Sequence, residues 1–176
     1  MKLNINIEGK NILLKPLGVR DIKDTYVSSL NNYNIVKYTE ARHKKWTHES
    51  VKKNIFISKK NRIPFLGIFL KKNKMHIGSI RLPGFDKYNK KILLGIMVFN
   101  NEFRKKGYGI EALNLISDYL LNQQNINKII ADYCTKNIAS KKLFTRCKYK
   151  KEGRLKKNIF VDGKFEDSII VSRLKK

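Results

Sequence analysis

The stretch Gly95-Ile96-Met97-Val98-Phe99, followed after three residues by Phe103-Arg104-Lys105-Lys106-Gly107-Tyr108-Gly109-Ile110-Glu111-Ala112-Leu113, decides how the chain is read. An apolar strand over Lys91–Phe99 runs into a basic, glycine-containing turn. A helix follows from Gly109 to about Leu121, with Ala112, Leu113, Ile116 and Leu120 on one face. Glycines at such a junction let successive backbone N–H groups converge, and the helix N-terminus and three adjacent cations add positive potential. That combination suits a pyrophosphate. The spacing is neither a P-loop, which needs Lys-Ser/Thr after its second glycine, nor a dinucleotide fingerprint, which needs a third glycine. Taken alone, the turn reads equally well as a basic connection that uses glycine for backbone geometry.

Outward from this centre the elements alternate. Asn11–Leu17 reads as a first strand closed by Pro16. Asp21 is placed to cap a helix over Ile22–Leu30, with Ile22, Tyr26, Val27 and Leu30 as its apolar stripe. Thr47 is placed to cap a second helix running to about Lys60, with Val51, Ile55 and Phe56 inward. Phe65–Leu70 and Met75–Arg81 read as strands preceding Lys91–Phe99. Asn127–Tyr133 is a further strand and Ile138–Arg146 a further helix. Ile159–Val161 and Ser168–Val171 flank the hairpin pair Asp162-Gly163. Antiparallel meanders mixed with a crossover predict an α+β, or mixed α/β, domain. With three prolines, no Ser/Gly tract and no repeat, residues 1–176 read as one domain.

Of 176 residues, 39 are Lys or Arg and 14 Asp or Glu, a formal charge of +25. The basic residues are 31 Lys and 8 Arg, and the chain carries 22 Ile and 18 Asn. Base and phosphate recognition favours Arg, whereas a Lys/Ile/Asn excess follows from an AT-rich coding genome. Nucleic acid is therefore the disfavoured partner, and solvated surface accounts for most of the charge. No apolar run is long enough to span a bilayer. Met1–Asn6 lacks the apolar stretch of a signal peptide, so a soluble, cytoplasmic protein is expected. The two cysteines, Cys134 and Cys147, have no zinc or disulfide spacing and read as small buried apolar residues. No metal is expected.

The strand, the Arg-x-x-Gly-x-Gly turn, the helix, the next strand and Asn137-Ile138-Ala139-Ser140-Lys141-Lys142-Leu143-Phe144 together resemble the GNAT N-acetyltransferase superfamily. Gly95–Val98 leading into Lys106–Leu113 is similar to the branch that contains the ribosomal-protein N-acetyltransferases. The resemblance implies a central mixed, mostly antiparallel sheet flanked by helices, with the parallel strands Lys91–Phe99 and Asn127–Tyr133 splayed apart. It implies an enzyme that moves an acetyl group from acetyl-CoA to a primary amine by direct attack. It places the CoA pyrophosphate on Arg104, Lys105, Lys106, Gly107, Tyr108 and Gly109, and the pantetheine beside Met97, Val98 and Phe99, where an N–H near Val98 meets the oxyanion. Asn137, Ser140 and Phe144 complete the cofactor set. Many relatives have an acidic tyrosine where this chain has Phe144, which cannot donate a proton. Ser140 and Tyr133 are the hydroxyls available in its place, Ser140 equally serving as a helix cap. Lys148 stands where the family commonly has glycine. Dimers are common in the superfamily.

On the acceptor side the resemblance points to the segment between the first helices, Asn34–Thr47. Trp46 offers a flat face, Arg42 a fork for phosphate or carboxylate, and Glu40 or His43 a proton acceptor. Equally, Trp46 simply packs on the core. Tyr38-Thr39-Glu40-Ala41-Arg42-His43 with Trp46-Thr47 is similar to the arm of amino-sugar N-acetyltransferases in surface-glycan pathways. A nucleotide-linked amino sugar is thus the favoured acceptor, a protein N-terminal or small amine the rival, and a basic RNA- or ribosome-associated module the non-enzyme alternative. Polyamines are disfavoured by the positive charge. His76, mid-strand, is a weak candidate, and Glu111, Asp118 and Asp132 read as surface carboxylates that pair with Lys.

Overall fold

The computed structural model describes residues 5–175; the segment Met1–Asn4, read above for a leader, lies outside the described residues. Two sheets meet at one chain segment. The first has the order β1 (Ile7–Glu8), β2 (Ile12–Pro16), β3 (Phe65–Leu70), β4 (His76–Arg81) and β6 (Gly95–Val98), all antiparallel. The second has the order β5 (Lys91–Leu93), β7 (Lys128–Cys134), β9 (Lys164–Leu174) and β8 (Lys150–Val161). Only β5 and β7 run parallel, with Leu93 opposite Ile130.

One face of the first sheet packs Ile12, Leu14, Leu66, Ile68, Ile77 and Ile80 against α4 (Tyr108–Asp118). Ala112, Leu113, Ile116 and Leu120 are all buried there, as the helical spacing predicts. The other face packs Phe65, Phe69 and Phe99 against α1 (Asp24–Leu30), α2 (Tyr33–Val36) and α3 (His48–Lys60) through Tyr26, Leu30, Val36, Trp46 and Val51. α5 (Ile138–Arg146) has the predicted bounds and is capped by Asn137, whose Oδ1 accepts the Ser140 N–H at 3.1 Å.

The strand expected over Lys91–Phe99 is broken at Leu94 and divided between the sheets. Leu94 N–H donates to Ile130 O at 2.8 Å, closing the parallel pair, and Phe99 N–H donates to Ile77 O at 3.1 Å, within the antiparallel sheet. Beyond Leu94, β6 and β7 part, which is the splay that the resemblance implied.

Some local expectations are corrected. Asp21 does not cap α1, which starts at Asp24; its carboxylate instead accepts Gly18 N–H and Lys15 Nζ, each at 2.8 Å. Phe56 faces outward and is 67% exposed. The terminal hairpin is much longer than its apolar segments, because β8 is almost entirely exposed and carries no apolar signal. Its turn has Asp162 at φ 50° and Gly163 at φ 78°, the left-handed pair a two-residue hairpin requires. Lys148, where relatives have glycine, adopts φ 64°. Cys134 and Cys147 are buried free thiols, as expected. No helix among the described residues is long and apolar enough to cross a membrane.

Candidate active site

The basic turn does form a helix-end cradle. Gly107 precedes α4 at φ 89°, and Lys105 before it has φ 61°. The first intrahelical bond runs from Glu111 N–H to Gly107 O at 3.0 Å, so the amides of Tyr108, Gly109 and Ile110 have no intrahelical acceptor and point ahead of the helix. A Cβ at Gly107 would meet nothing within 4 Å, so this position is glycine for its backbone angle and for access. The Glu111 carboxylate accepts from Asn11 N–H and Nδ2 at 2.8 and 2.9 Å and fastens the β1–β2 turn to α4. Lys105 and Lys106 are exposed, while Arg104 is half-buried and donates from Nε to Val98 O at 2.9 Å.

Strand alternation decides which groups of β6 face the splay. Because Phe99 N–H points to β4 and Leu94 N–H points to β7, residues 95, 97 and 99 pair inward and residues 96 and 98 present N–H and C=O to the splay. Phe99 is therefore corrected. Its amide is used within the sheet and its ring is 1% exposed. Met97 is likewise turned toward β4. Val98 and Ile96, the latter not singled out in the sequence, are the β6 residues whose N–H groups face away from β4. The two-residue period could have found Ile96 had the register been known.

Across the splay, Tyr133 stacks on Phe144 with ring centroids 6.0 Å apart and planes at 16°. Phe144 is 4% exposed and belongs to the core, so its expected cofactor contact is withdrawn in favour of a packing role. Burial raises the Tyr133 phenol pKa, which keeps it protonated near neutrality. Ser140 is half-buried in the first turn of α5. Asn137 uses its carbonyl as the α5 cap.

The acceptor arm differs from expectation. Trp46 is buried, its Nε1 donates to Ala41 O at 2.8 Å, and Lys44 Nζ lies 3.8 Å from the ring centroid. It is a core residue, not a platform. Trp46→Ala should therefore cost about 3–5 kcal/mol in denaturant unfolding; a surface platform would leave stability nearly unchanged. The Arg42 side chain is only 9% exposed, and its Nη1 donates to Thr39 O at 2.7 Å, which leaves little of the fork for a ligand. Glu40 is exposed, with Arg42 and His43 each 3.6 Å away, and His43 is exposed beside it. His76 sits among Tyr26, Phe69 and Phe99 at 4.9 Å each, and burial lowers it to about 4, so it is a neutral packing residue.

The three carboxylates dismissed as surface groups have different fates. Glu111 holds Asn11 and Asp118 pairs with Arg173, but Asp132 borders the splay two residues beyond Ile130. Ala131 and Tyr133 face the α4–α5 side, so Asp132 faces the other, toward the acceptor arm. Its side chain is solvent-accessible. Partial desolvation first, and the Glu40 carboxylate second, raise its pKa. Between the arm and the hairpin tip lies a cavity of about 430 Å³ lined by Tyr38, Lys136, Val161, Asp162, Lys164 and Glu166. Tyr33 donates its hydroxyl to Asp162 at 2.9 Å and ties the tip to α2. No group of three or more His, Cys, Asp or Glu among the described residues could hold a metal ion.

Known proteins resemble the chain over nearly its whole length. It is 25% identical to the Bacillus subtilis (strain 168) protein described as "Probable N-acetyltransferase YjcK", over 96% of each chain. A ribosomal-protein-S5-alanine acetyltransferase from Vibrio fischeri shares the fold with a TM-score of 0.84 at 21% identity, covering 98% of this chain and 97% of that one. A spermidine N-acetyltransferase from Vibrio cholerae, crystallised with CoA and spermine, gives 0.81 at 19% identity over 95% and 97%. The acetyltransferase (GNAT) domain pattern matches residues 11–150, and with the splayed strands and glycine turn lying inside that span, the chain belongs to the GNAT acetyltransferase family.

Proposed function

We propose that the protein transfers an acetyl group from acetyl-CoA to the N-terminal amine of a peptide or protein. The observation that carries the acceptor class is the Asp132 carboxylate, on the face of β7 away from α4 and α5, with desolvation first and the Glu40 charge second raising its pKa. In a chain of charge +25, carboxylates on that side of β7 favour a cationic amine over an anionic diphosphate. The expectation of a nucleotide-linked amino sugar drew on the resemblance of the Tyr38–Thr47 arm and on Trp46 and Arg42 as ligand contacts, and both of those side chains are turned into the protein. The cavity beside Tyr38 and Lys136 gives room for the chain behind the amine.

The residues present fit the cofactor. Amides of Tyr108, Gly109 and Ile110, with Lys105 and Lys106, would hold the pyrophosphate, and the edge of β6, through the N–H and C=O of Ile96 and the N–H of Val98, would pair with the pantetheine as an added strand does. Asn137 keeps its side-chain N–H₂ for the same arm. Acetyl-CoA, when bound, supplies the thioester carbonyl that the amine attacks. Asp132 takes the proton that makes an incoming ammonium nucleophilic, and its raised pKa brings it closer to that task. The splay-facing N–H of Ile96 or Val98 meets the developing oxyanion. Tyr133, protonated, is the acid for the departing thiolate, with Ser140 as the other hydroxyl near the site.

An acceptor panel tests this reading. With acetyl-CoA fixed, a peptide bearing a free N-terminus should show kcat/KM at least about tenfold above a nucleotide-linked amino sugar, and the N-blocked peptide none. Preference for the sugar would overturn the acceptor class while leaving acetyl transfer in place.

A further inference from the structure

The half-buried Arg104 has two features that a simple phosphate ligand does not need. Its Nε is already committed, donating to Val98 O at 2.9 Å across six residues of chain. Among the described residues no carboxylate pairs with its guanidinium, although partial burial lowers its pKa. An uncompensated guanidinium placed there has a cost, and the bond it makes spans the two parts of the cofactor site. On one side is the end of β6, where Val98 turns its N–H to the splay while its C=O is taken by Arg104. On the other is the turn in which Lys105 holds φ 61°, an uncommon conformation for a non-glycine residue, followed by Gly107 at φ 89°.

We propose that Arg104 is a positioning residue: its Nε–H bond to Val98 locks the glycine turn onto the strand edge, so that the phosphate cradle and the splay-facing amides are held in one fixed relation. Lys105 and Lys106, exposed and free of such bonds, supply the charge; Arg104 supplies the registration. The inference rests on acetyl-CoA binding in the splay and goes beyond the acceptor reading. A lysine cannot replace it, because an ammonium on a flexible stem lacks the planar, fixed Nε–H that reaches Val98 O.

A donor without the pyrophosphate separates positioning from phosphate binding. Pantetheine and CoA are titrated against the wild type, Arg104→Ala, Arg104→Lys and Lys106→Ala, and amide hydrogen exchange across residues 96–110 is followed in the ligand-free proteins. Positioning predicts that Arg104→Ala weakens pantetheine and CoA alike, by about tenfold, and speeds exchange in the turn. Arg104→Lys should restore neither, and Lys106→Ala should weaken CoA only. If Arg104→Ala weakens CoA but leaves pantetheine affinity and exchange unchanged, Arg104 is a phosphate ligand and the proposal is wrong. Failure of the wild type to bind either ligand would instead overturn the cofactor site itself, and with it the proposal.

Discussion

Asp132→Asn lowers kcat about 100- to 1,000-fold, the usual contribution of a positioned base, while acetyl-CoA affinity stays within about twofold. Nothing in the cofactor cradle touches Asp132; it lies across the splay, on the acceptor side of β7. The pH dependence carries the same signature. The Asp132 pKa is raised, so the reactive carboxylate form is lost as pH falls through a value above the ordinary aspartate range. The acid limb of kcat/KM in the wild type should therefore lie higher than an unperturbed aspartate would put it, and should vanish in the variant. The stability sign is opposite. A carboxyl whose folded pKa exceeds its unfolded value favours the fold most when protonated, so at neutral pH its charge opposes folding. Asp132→Asn should melt no lower than the wild type, which separates lost catalysis from lost structure. A normal acid limb in Asp132→Asn would assign the base elsewhere.

Gly107→Val reduces CoA affinity by at least about 100-fold, equivalent to two charge-assisted hydrogen bonds lost or misdirected. The position has open space around it, so the effect does not come from a clash. It comes from φ 89°, which a β-branched residue resists by about 1–2 kcal/mol, turning the following amides away from their common focus. Gly109→Ala is the contrast. Its Cβ would lie 3.5 Å from Val98 Cγ2 and 3.7 Å from Leu143 Cδ1, ordinary contact distances, so binding should persist. Calorimetric titration with CoA distinguishes the two, and equal losses in both would remove the backbone-angle explanation.

The sequence was most legible where one helix or turn carries its own chemistry. α5, the α4 apolar stripe and the Asp162-Gly163 turn follow from local spacing and conformational preference; the α5 cap, expected of Ser140, falls instead to Asn137, whose Oδ1 accepts the Ser140 N–H. The division of Lys91–Phe99 at Leu94 was hidden because both halves are apolar and only their hydrogen-bond partners, Ile130 and Ile77, differ. The same missing register put Phe99, whose amide is used within the sheet, among the expected cofactor residues and passed over Ile96, whose N–H faces the splay. Trp46 and Arg42 sit in a polar-looking loop, and nothing local reveals that Ala41 and Thr39 carbonyls take their N–H groups. Asp132 resembled Glu111 and Asp118 until folding supplied those two with Asn11 and Arg173 and left Asp132 facing Glu40.

The charge of +25 also reads differently in three dimensions. Lysines cover the surface broadly and the glycine turn carries Lys105 and Lys106, whereas Asp132 and Glu40 put negative charge on the proposed acceptor side of β7. The proposed function thus sorts its two substrates by sign. Screening by salt should weaken CoA binding and amine capture together.

The most direct measurement is free thiol released from acetyl-CoA, followed with the mass of a peptide bearing a free N-terminal amine. The predicted result is one thiol released for each acetyl group gained by the peptide, with no gain when its amine is blocked. Absence of both thiol release and CoA binding would contradict acetyl transfer at this site.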